Sequence, residues 1–363
     1  MSLSLEHIDL SVGGETHIAD VSLELEPGSF NVLLGRTLAG KTTLMRLMAG
    51  LDTPTRGRVK MNGEDVSGVS VRRRNVSMVY QQFINYPSLS VYENIASPLR
   101  LARVAAAEID RRVRQTAEML HIEHLLDRKP LELSGGQQQR TAMGRALVKD
   151  ADIVLFDEPL VNLDYKLREG LREELRALFR ERNCIAVYAT TEPAEALALG
   201  GHTAVLHEGR LLQYGRSEDV YHRPLTLQTA ELFSEPPINV LHGIVSGNEV
   251  TFDREVHFPL NADLSRLLPG EYRFGVRPAH ISLTRRAEDD IEIVMGVDMA
   301  EISGSETFLH VADERFHLTV HLEGVHEFEV GQAVRLFIPA HKVYAFDRQG
   351  GVVHIPTHHA GRG

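Results

Sequence analysis

The stretch Gly35-Arg36-Thr37-Leu38-Ala39-Gly40-Lys41-Thr42 constrains this chain more than any other. It fits G-x-x-x-x-G-K-[ST]. It follows Phe30-Asn31-Val32-Leu33-Leu34, which reads as a buried strand, and it opens a helical pattern that runs from Lys41 through Leu44, Met45, Leu47 and Met48 to a natural stop at Gly50. Glycines let a backbone fold closely around an anion, so that consecutive N–H groups and the positive end of the helix face phosphate oxygens. In that frame Lys41 reaches the β- and γ-phosphates of a nucleoside triphosphate, and the Thr42 hydroxyl ligates Mg2+.

The surrounding chain fits an α/β unit. Val76–Tyr80, Ile153–Phe156, Ile185–Tyr188 and Thr203–Leu206 read as further strands, and Glu208-Gly209 as a hairpin turn. Between the first and second of these four strands the pattern is mainly helical, including Ile109–Leu120, which indicates a helical insertion over about residues 86–149. At Glu235-Pro236-Pro237 the helical periodicity stops. From there Glu249–Phe252, Phe316–Val320 and Val334–Ile338 alternate between Gly, Pro and Asn breaks, as an all-β domain does. The expectation is therefore two domains, 1–235 and 236–363, in keeping with 363 residues at about 150 per domain.

Two further strings carry chemistry. Ile153-Val154-Leu155-Phe156-Asp157-Glu158 is an apolar strand that delivers two acids at its carboxyl end, where open α/β sheets bind ligands. Asp157 would hold the metal through its water shell, and Glu158 would polarise an attacking water. Leu133-Ser134-Gly135-Gly136-Gln137 has the form of a capping box, and its two glycines expose N–H groups that make the same helix start an anion site.

Composition removes several function classes. The net charge is −11, there is no Trp, and aromatic content is 6%, whereas nucleic-acid grooves are basic and lined with stacking rings. The single Cys184 excludes an intrachain disulfide framework and any multi-cysteine zinc site, and its apolar neighbours mark it as a core thiol. No apolar run approaches the roughly 20 residues that span a bilayer, so work at a membrane would go through partners.

With Ser134-Gly135-Gly136-Gln137 following the loop at Gly35, the chain resembles the ATP-hydrolysing subunits of ABC transporters. Phe274-Gly275-Val276-Arg277-Pro278-Ala279-His280, Gly304-Ser305-Glu306-Thr307 and Ile338-Pro339-Ala340-His341 resemble the OB-like, TOBE-type C-terminal domain of sugar-type importers. Thr37–Thr42, Tyr80–Pro87 and Tyr188–Pro193 are most similar to glycerol importer ATPases. The resemblance implies a P-loop ABC ATPase fold, with Gly35, Thr37, Leu38, Ala39, Gly40, Lys41, Thr42 and Thr43 binding ATP. Gln81 would sense metal and water, Asp164 would contact the opposite subunit, and Ser134–Gln137 would close on ATP held by that subunit. The groove near Phe83, Tyr86 and Leu89 would receive a permease helix. Permease subunits, a second ATPase subunit and, indirectly, a periplasmic solute-binding protein are the implied partners. The implied place is the cytoplasmic face of the inner membrane.

Three features depart from the family pattern. Thr191 stands where the family has a γ-phosphate-sensing histidine, and its hydroxyl cannot carry a positive charge. Arg36 replaces the usual proline. No Phe, Tyr or Trp precedes Phe30 to stack on adenine, and His17 is the nearest substitute. A family member working on chromosomes would insert a long coiled coil before Ser134, and a ribosomal one would carry two ATPase domains. A silent regulatory subunit is argued against by Lys41, Asp157 and Glu158.

Overall fold

The computed structural model describes residues 2–161, 165–252, 256–260, 264–314 and 316–356. The chain divides into two compact units, residues 1–218 and 219–363.

In the first unit, β1 (Leu3–Val12) and β2 (Glu15–Leu25) pair antiparallel. Leu3 and Leu5 face the core, a register shift at His7 (φ 49°) inserts one residue, and Ile8 and Leu10 then face inward again. The extra residue resets the alternation of a strand. The chain continues as β3 (Phe30–Leu34), α1 (Lys41–Ala49), β4 (Arg56–Met61), β5 (Glu64–Asp65) and β6 (Val76–Val79). Three helices follow, α2 (Val91–Leu101), α3 (Ala106–Met119) and α4 (Gly135–Leu147), which pack on one another and bury Ile95, Val113 and Met143. They lie inside the span 86–149 in which a helical insertion is expected. The unit is completed by β7 (Ile153–Asp157), α5 (Tyr165–Glu181), β8 (Ile185–Thr190), α6 (Pro193–Leu199), β9 (His202–His207) and β10 (Arg210–Arg216).

One sheet has the order β2-β1-β4-β5 and the other β10-β9-β3-β8-β7-β6, with β9, β3, β8, β7 and β6 parallel. Every residue of β7 and β8 is buried, which is why they read as unbroken apolar runs rather than alternating ones. The apolar face of α1, Leu44, Met45, Leu47 and Met48, joins a core shared with Leu5, Ile8, Leu33, Leu155 and Val187. That core fixes the start of α1 against the carboxyl ends of β3 and β7, where the acids emerge.

The chain crosses into the second unit within α7 (Ser217–His222). There α8 (Leu227–Leu232) precedes two antiparallel sheets built from β11 (Asn239–Ser246), β12 (Glu249–Phe252), β13 (Val256–Pro259), β14 (Gly270–Val276), β15 (Ile291–Ser303), β16 (Glu306–Ala312), β17 (His317–Glu323), β18 (Ala333–Ile338), β19 (Tyr344–Phe346) and β20 (Val352–His354). Their orders are β13-β12-β11-β14-β19-β20 and β17-β16-β15-β18, and Phe252 and Phe274 of one meet Ile293, Leu309 and Leu336 of the other in a common core. This is the all-β, OB-like domain. The two compact units divide at Glu218/Asp219. Leu227 and Ala230 of α8 bury against Ile238, Tyr344 and Phe346, so this helix belongs with the β domain despite its helical texture.

Candidate functional site

The loop between β3 and α1 holds its shape through its two glycines. A Cβ at Gly35 would lie 2.4 Å from the Leu206 carbonyl oxygen, and Gly40 caps α1 at φ 98°, a conformation other residues seldom adopt. Ala39 accepts a hydrogen bond from Gly209 N at 3.1 Å, and Gly209 in turn accepts one from Ala19 N at 2.9 Å. The hairpin between β9 and β10 thereby clamps the loop against β2.

Lys41 is 5% exposed. Its Nζ donates to the Gly35 and Arg36 carbonyls at 2.8 and 3.2 Å and pairs with Glu158 Oε1 at 3.2 Å. The Thr42 hydroxyl donates to both oxygens of Asp157, at 3.0 and 2.9 Å. Burial pushes the Asp157 carboxyl above its ordinary pKa, aided by the neighbouring Glu158 and opposed by the Thr42 hydroxyl and Lys41. Glu158 has a left-handed backbone (φ 47°) and donates its N–H to the Ala189 carbonyl at 3.2 Å. Such a conformation costs a non-glycine residue roughly 1–2 kcal/mol, and here it directs the carboxylate toward both Lys41 and Gln81. Gln81 Nε2 donates to Glu158 Oε2 at 3.0 Å.

Lys41, Thr42, Gln81 and Glu158 line one cleft of about 550 Å3, together with Thr37, Leu38, Ala39, Gly40 and Thr43, and the buried Asp157 stands behind Thr42. The donor set fits Mg2+. A hydroxyl, a carboxylate and an amide oxygen are hard ligands, and among the described residues no group of three or more His, Cys, Asp or Glu forms a dedicated cage. Mg2+ is commonly held this way, by one or two protein oxygens plus substrate phosphates. The glycine-walled loop and its buried lysine fit a triphosphate.

Other expected residues lie elsewhere. Ser134 caps α4, accepting from Gln137 N at 3.4 Å while Gln137 Oε1 accepts from Ser134 N at 3.0 Å, so the capping box forms. Ser134 and Gly135 are exposed, and neither these two nor Gly136 and Gln137 line the cleft. Thr191 is exposed on the turn after β8 and does not line it either. The preceding Thr190 is fixed, its hydroxyl donating to the buried Glu195 at 2.6 Å and its carbonyl accepting from Gly35 N at 3.4 Å. Asp164 lies outside the described residues.

Glu15, Thr16, His17 and Glu208 also line the cleft. His17 is the ring that the sequence offers in place of an adenine-stacking aromatic. Glu15 and Glu208 carry no local sequence signal, because pairing of β2 with β1 and the tight turn at Glu208-Gly209 bring them there.

The family model for ABC transporters matches residues 18–161. Over 352 residues the chain is 35% identical to the sn-glycerol-3-phosphate import ATP-binding protein UgpC of Escherichia coli O157:H7, a match that covers 96% of this chain and 98% of that protein. It is 36% identical over 352 residues to the xylose/arabinose import ATP-binding protein XacK of Haloferax volcanii, covering 95% of this chain and 92% of that one. A solved dimeric, post-hydrolysis state of the ATP-binding cassette MJ0796 bound to ADP and Pi aligns with a TM-score of 0.54 at 28% identity, covering 59% of this chain and 98% of that one.

Proposed function

This chain belongs to the ABC transporter family as an ATP-hydrolysing subunit of a sugar or polyol importer, and from that premise we propose that the solute is glycerol. The relatives named for sn-glycerol 3-phosphate and for xylose/arabinose support a small polyhydroxylated solute. The choice of glycerol rests on the likeness of Thr37–Thr42, Tyr80–Pro87 and Tyr188–Pro193 to glycerol importer ATPases. Deleting this chain's gene should abolish uptake of labelled glycerol and leave xylose uptake intact. Loss of sn-glycerol 3-phosphate uptake with glycerol uptake preserved would move the assignment to that solute.

The observation that carries the motor reading is the contact chain Thr42–Asp157 and Lys41–Glu158–Gln81 around one cleft. Lys41 would neutralise charge on the β- and γ-phosphates, and the loop N–H groups would hold the phosphates in line. When bound, Mg2+ supplies charge neutralisation between the phosphate oxygens. Thr42, Asp157 and the Gln81 amide oxygen would hold it. Glu158 would accept a hydrogen bond from the attacking water, and Gln81 would restrict where that water sits.

The turn at Ser134–Gln137 would complete the ATP site of a second ATPase subunit across a head-to-tail dimer. The pairing favoured here is a heterodimer, because Thr191 leaves this chain's own site without the histidine. Permease subunits would hold the pair at the cytoplasmic face of the inner membrane, and a periplasmic solute-binding protein would reach it only through them. Among the described residues no helix is long and apolar enough to cross a membrane.

A further inference from the structure

A second cleft, of about 280 Å3, lies in the first unit, where α3 faces the residues that follow α4 and the end of α5. It shares no lining residue with the nucleotide cleft. Asp150 stands on it, ahead of β7, whereas Asp157 ends that strand behind Thr42. At about 3.3 Å per residue β7 alone spans roughly 13 Å. A nucleotide whose phosphates face Lys41 therefore leaves the second cleft free for another ligand.

This cleft is cationic in an acidic chain. Three guanidiniums, those of Arg111, Arg112 and Arg182, line it against one carboxylate, Asp150, while the whole chain carries a net charge of −11. Arg111 Nη2 and Arg112 Nε share Glu108 Oε1 at 2.5 and 2.6 Å, and Arg112 Nη1 pairs with Asp150 Oδ2 at 2.5 Å. The Asp150 side chain is 73% exposed, so water screens that pair and its carboxylate can turn away at little cost. Arg182 is different. Among the described residues no carboxylate lies within ion-pair distance of it, and its Nη1 donates to the Leu147 carbonyl at 3.1 Å. That contact uses one of five guanidinium donors. Thr116 gives an independent sign of a ligand. It lines the cleft at only 7% exposure, and its hydroxyl has no hydrogen-bond partner among the described residues. A buried hydroxyl left unpaired is unfavourable, so a polar group from outside the chain would stabilise it. Met119, Val148 and Leu178 supply an apolar part of the lining.

We propose that this cleft is a binding site for a small phosphomonoester with an apolar body. Arg182 and Arg112 would hold the phosphate dianion, the Thr116 hydroxyl would donate to one of its oxygens, and the carbon body would lie against Met119, Val148 and Leu178. Guanidinium forks match phosphate oxygens in geometry as well as charge. Arginines on separate elements suit a tetrahedral dianion, whose oxygens point in several directions, better than a flat carboxylate with one charge. The volume is near the lower end of small-molecule sites, about 300 Å3, which limits the body to a few carbons.

The test is calorimetric titration of the full-length chain with n-butyl phosphate, in saturating Mg-ADP to fill the nucleotide cleft, beside inorganic phosphate and n-butanol. Butyl phosphate should bind at one site per chain, about tenfold or more tighter than inorganic phosphate because its methylenes leave water. Butanol should not bind. Arg182→Gln removes the charge and should raise Kd roughly 10- to 100-fold, the range for losing one charged hydrogen-bond partner. Thr116→Val keeps the shape, removes the hydroxyl and should raise Kd roughly two- to tenfold. Lys41→Ala should leave Kd unchanged. If Arg182→Gln does not fold, Arg111→Gln, at an exposed position, takes its place with a rise in Kd expected again. Equal affinity for butyl phosphate and inorganic phosphate would overturn the phosphomonoester. Binding that survives the arginine substitution, or that Lys41→Ala removes, would put the anion elsewhere and overturn the site, as would no binding of butyl phosphate at all.

Discussion

Lys41 Nζ and Glu158 Oε1 pair at 3.2 Å, with both side chains largely buried. The cation that would face the transferred phosphate and the acid that would address water are thus each other's counter-ion. At this distance and burial the attraction is substantial, and phosphate oxygens must compete with Glu158 for the ammonium. Nucleotide binding would therefore have a direct electrostatic route to Glu158, which would lose a partner as the water is positioned.

Lys41→Ala is expected to weaken Mg-ATP binding by roughly 10- to 100-fold, the range for losing one charged hydrogen-bond partner, and to stop transport. Equilibrium nucleotide titration and uptake in reconstituted vesicles measure the two effects. Uptake near the wild-type rate would remove Lys41 from the mechanism.

Glu158→Gln keeps the hydrogen bond to Gln81 within reach but removes the basic oxygen. Hydrolysis should fall by about 10²–10⁴, and a nucleotide-bound dimer should accumulate on light scattering if this chain's own site turns over. Unchanged turnover would assign hydrolysis mainly to the other site.

Asp157 sets function against stability. Burial holds its carboxyl above the ordinary value of 3.8, so the folded chain binds that proton more tightly than the unfolded one. Stability then falls as pH rises from the ordinary value through the raised one, and the loss is complete above it. At neutral pH, Asp157→Asn should raise the unfolding temperature of the chain while abolishing Mg-dependent hydrolysis. The gain should shrink as the melts are repeated toward pH 4 and vanish below it. A lower unfolding temperature for the variant at pH 7 would mean that the Thr42 hydrogen bonds outweigh the desolvation.

What the sequence makes legible is whatever phosphate geometry or local capping dictates. Phe30–Leu34 has the same bounds as a sequence pattern and as a strand, and α1 starts at Lys41 and stops before Gly50 in both. Ser134-x-x-Gln137 forms the capping box its spacing specifies. By contrast, β1 and β2 escape a periodicity reading, because the extra residue at His7 breaks the alternation of Leu3, Leu5, Ile8 and Leu10. The packing of α8 escapes the sequence for a related reason. The helical texture of α8 is local, whereas the partners Tyr344 and Phe346 that assign it lie far along the chain. Long-range pairing also brings Glu15 and Glu208 to the cleft, so no neighbouring residue announces them.

The last prediction concerns which subunit supplies which part of a working site. The turn at Ser134–Gln137 is capped, exposed at Ser134 and Gly135 and away from this chain's own cleft, while Thr191, where the family resemblance implies a histidine, would offer only a hydroxyl that cannot carry charge. In a head-to-tail homodimer both composite sites would contain Thr191. In a heterodimer, a partner that keeps the histidine could join its own loop and acid to Ser134–Gln137 of this chain, giving one complete site. Ser134→Arg places bulk and charge where the partner's γ-phosphate would dock and should stop turnover of the assembled transporter. Thr191→Ala removes only a hydroxyl from the weaker site and should reduce turnover by less than about threefold, near the lower limit for one neutral hydrogen bond. Both are read as ATPase rates of the reconstituted complex, beside the size and activity of the purified chain alone. A homodimer of this chain with full ATPase activity, or a Thr191→Ala defect larger than that of Ser134→Arg, would place the complete site in this chain and overturn the heterodimer.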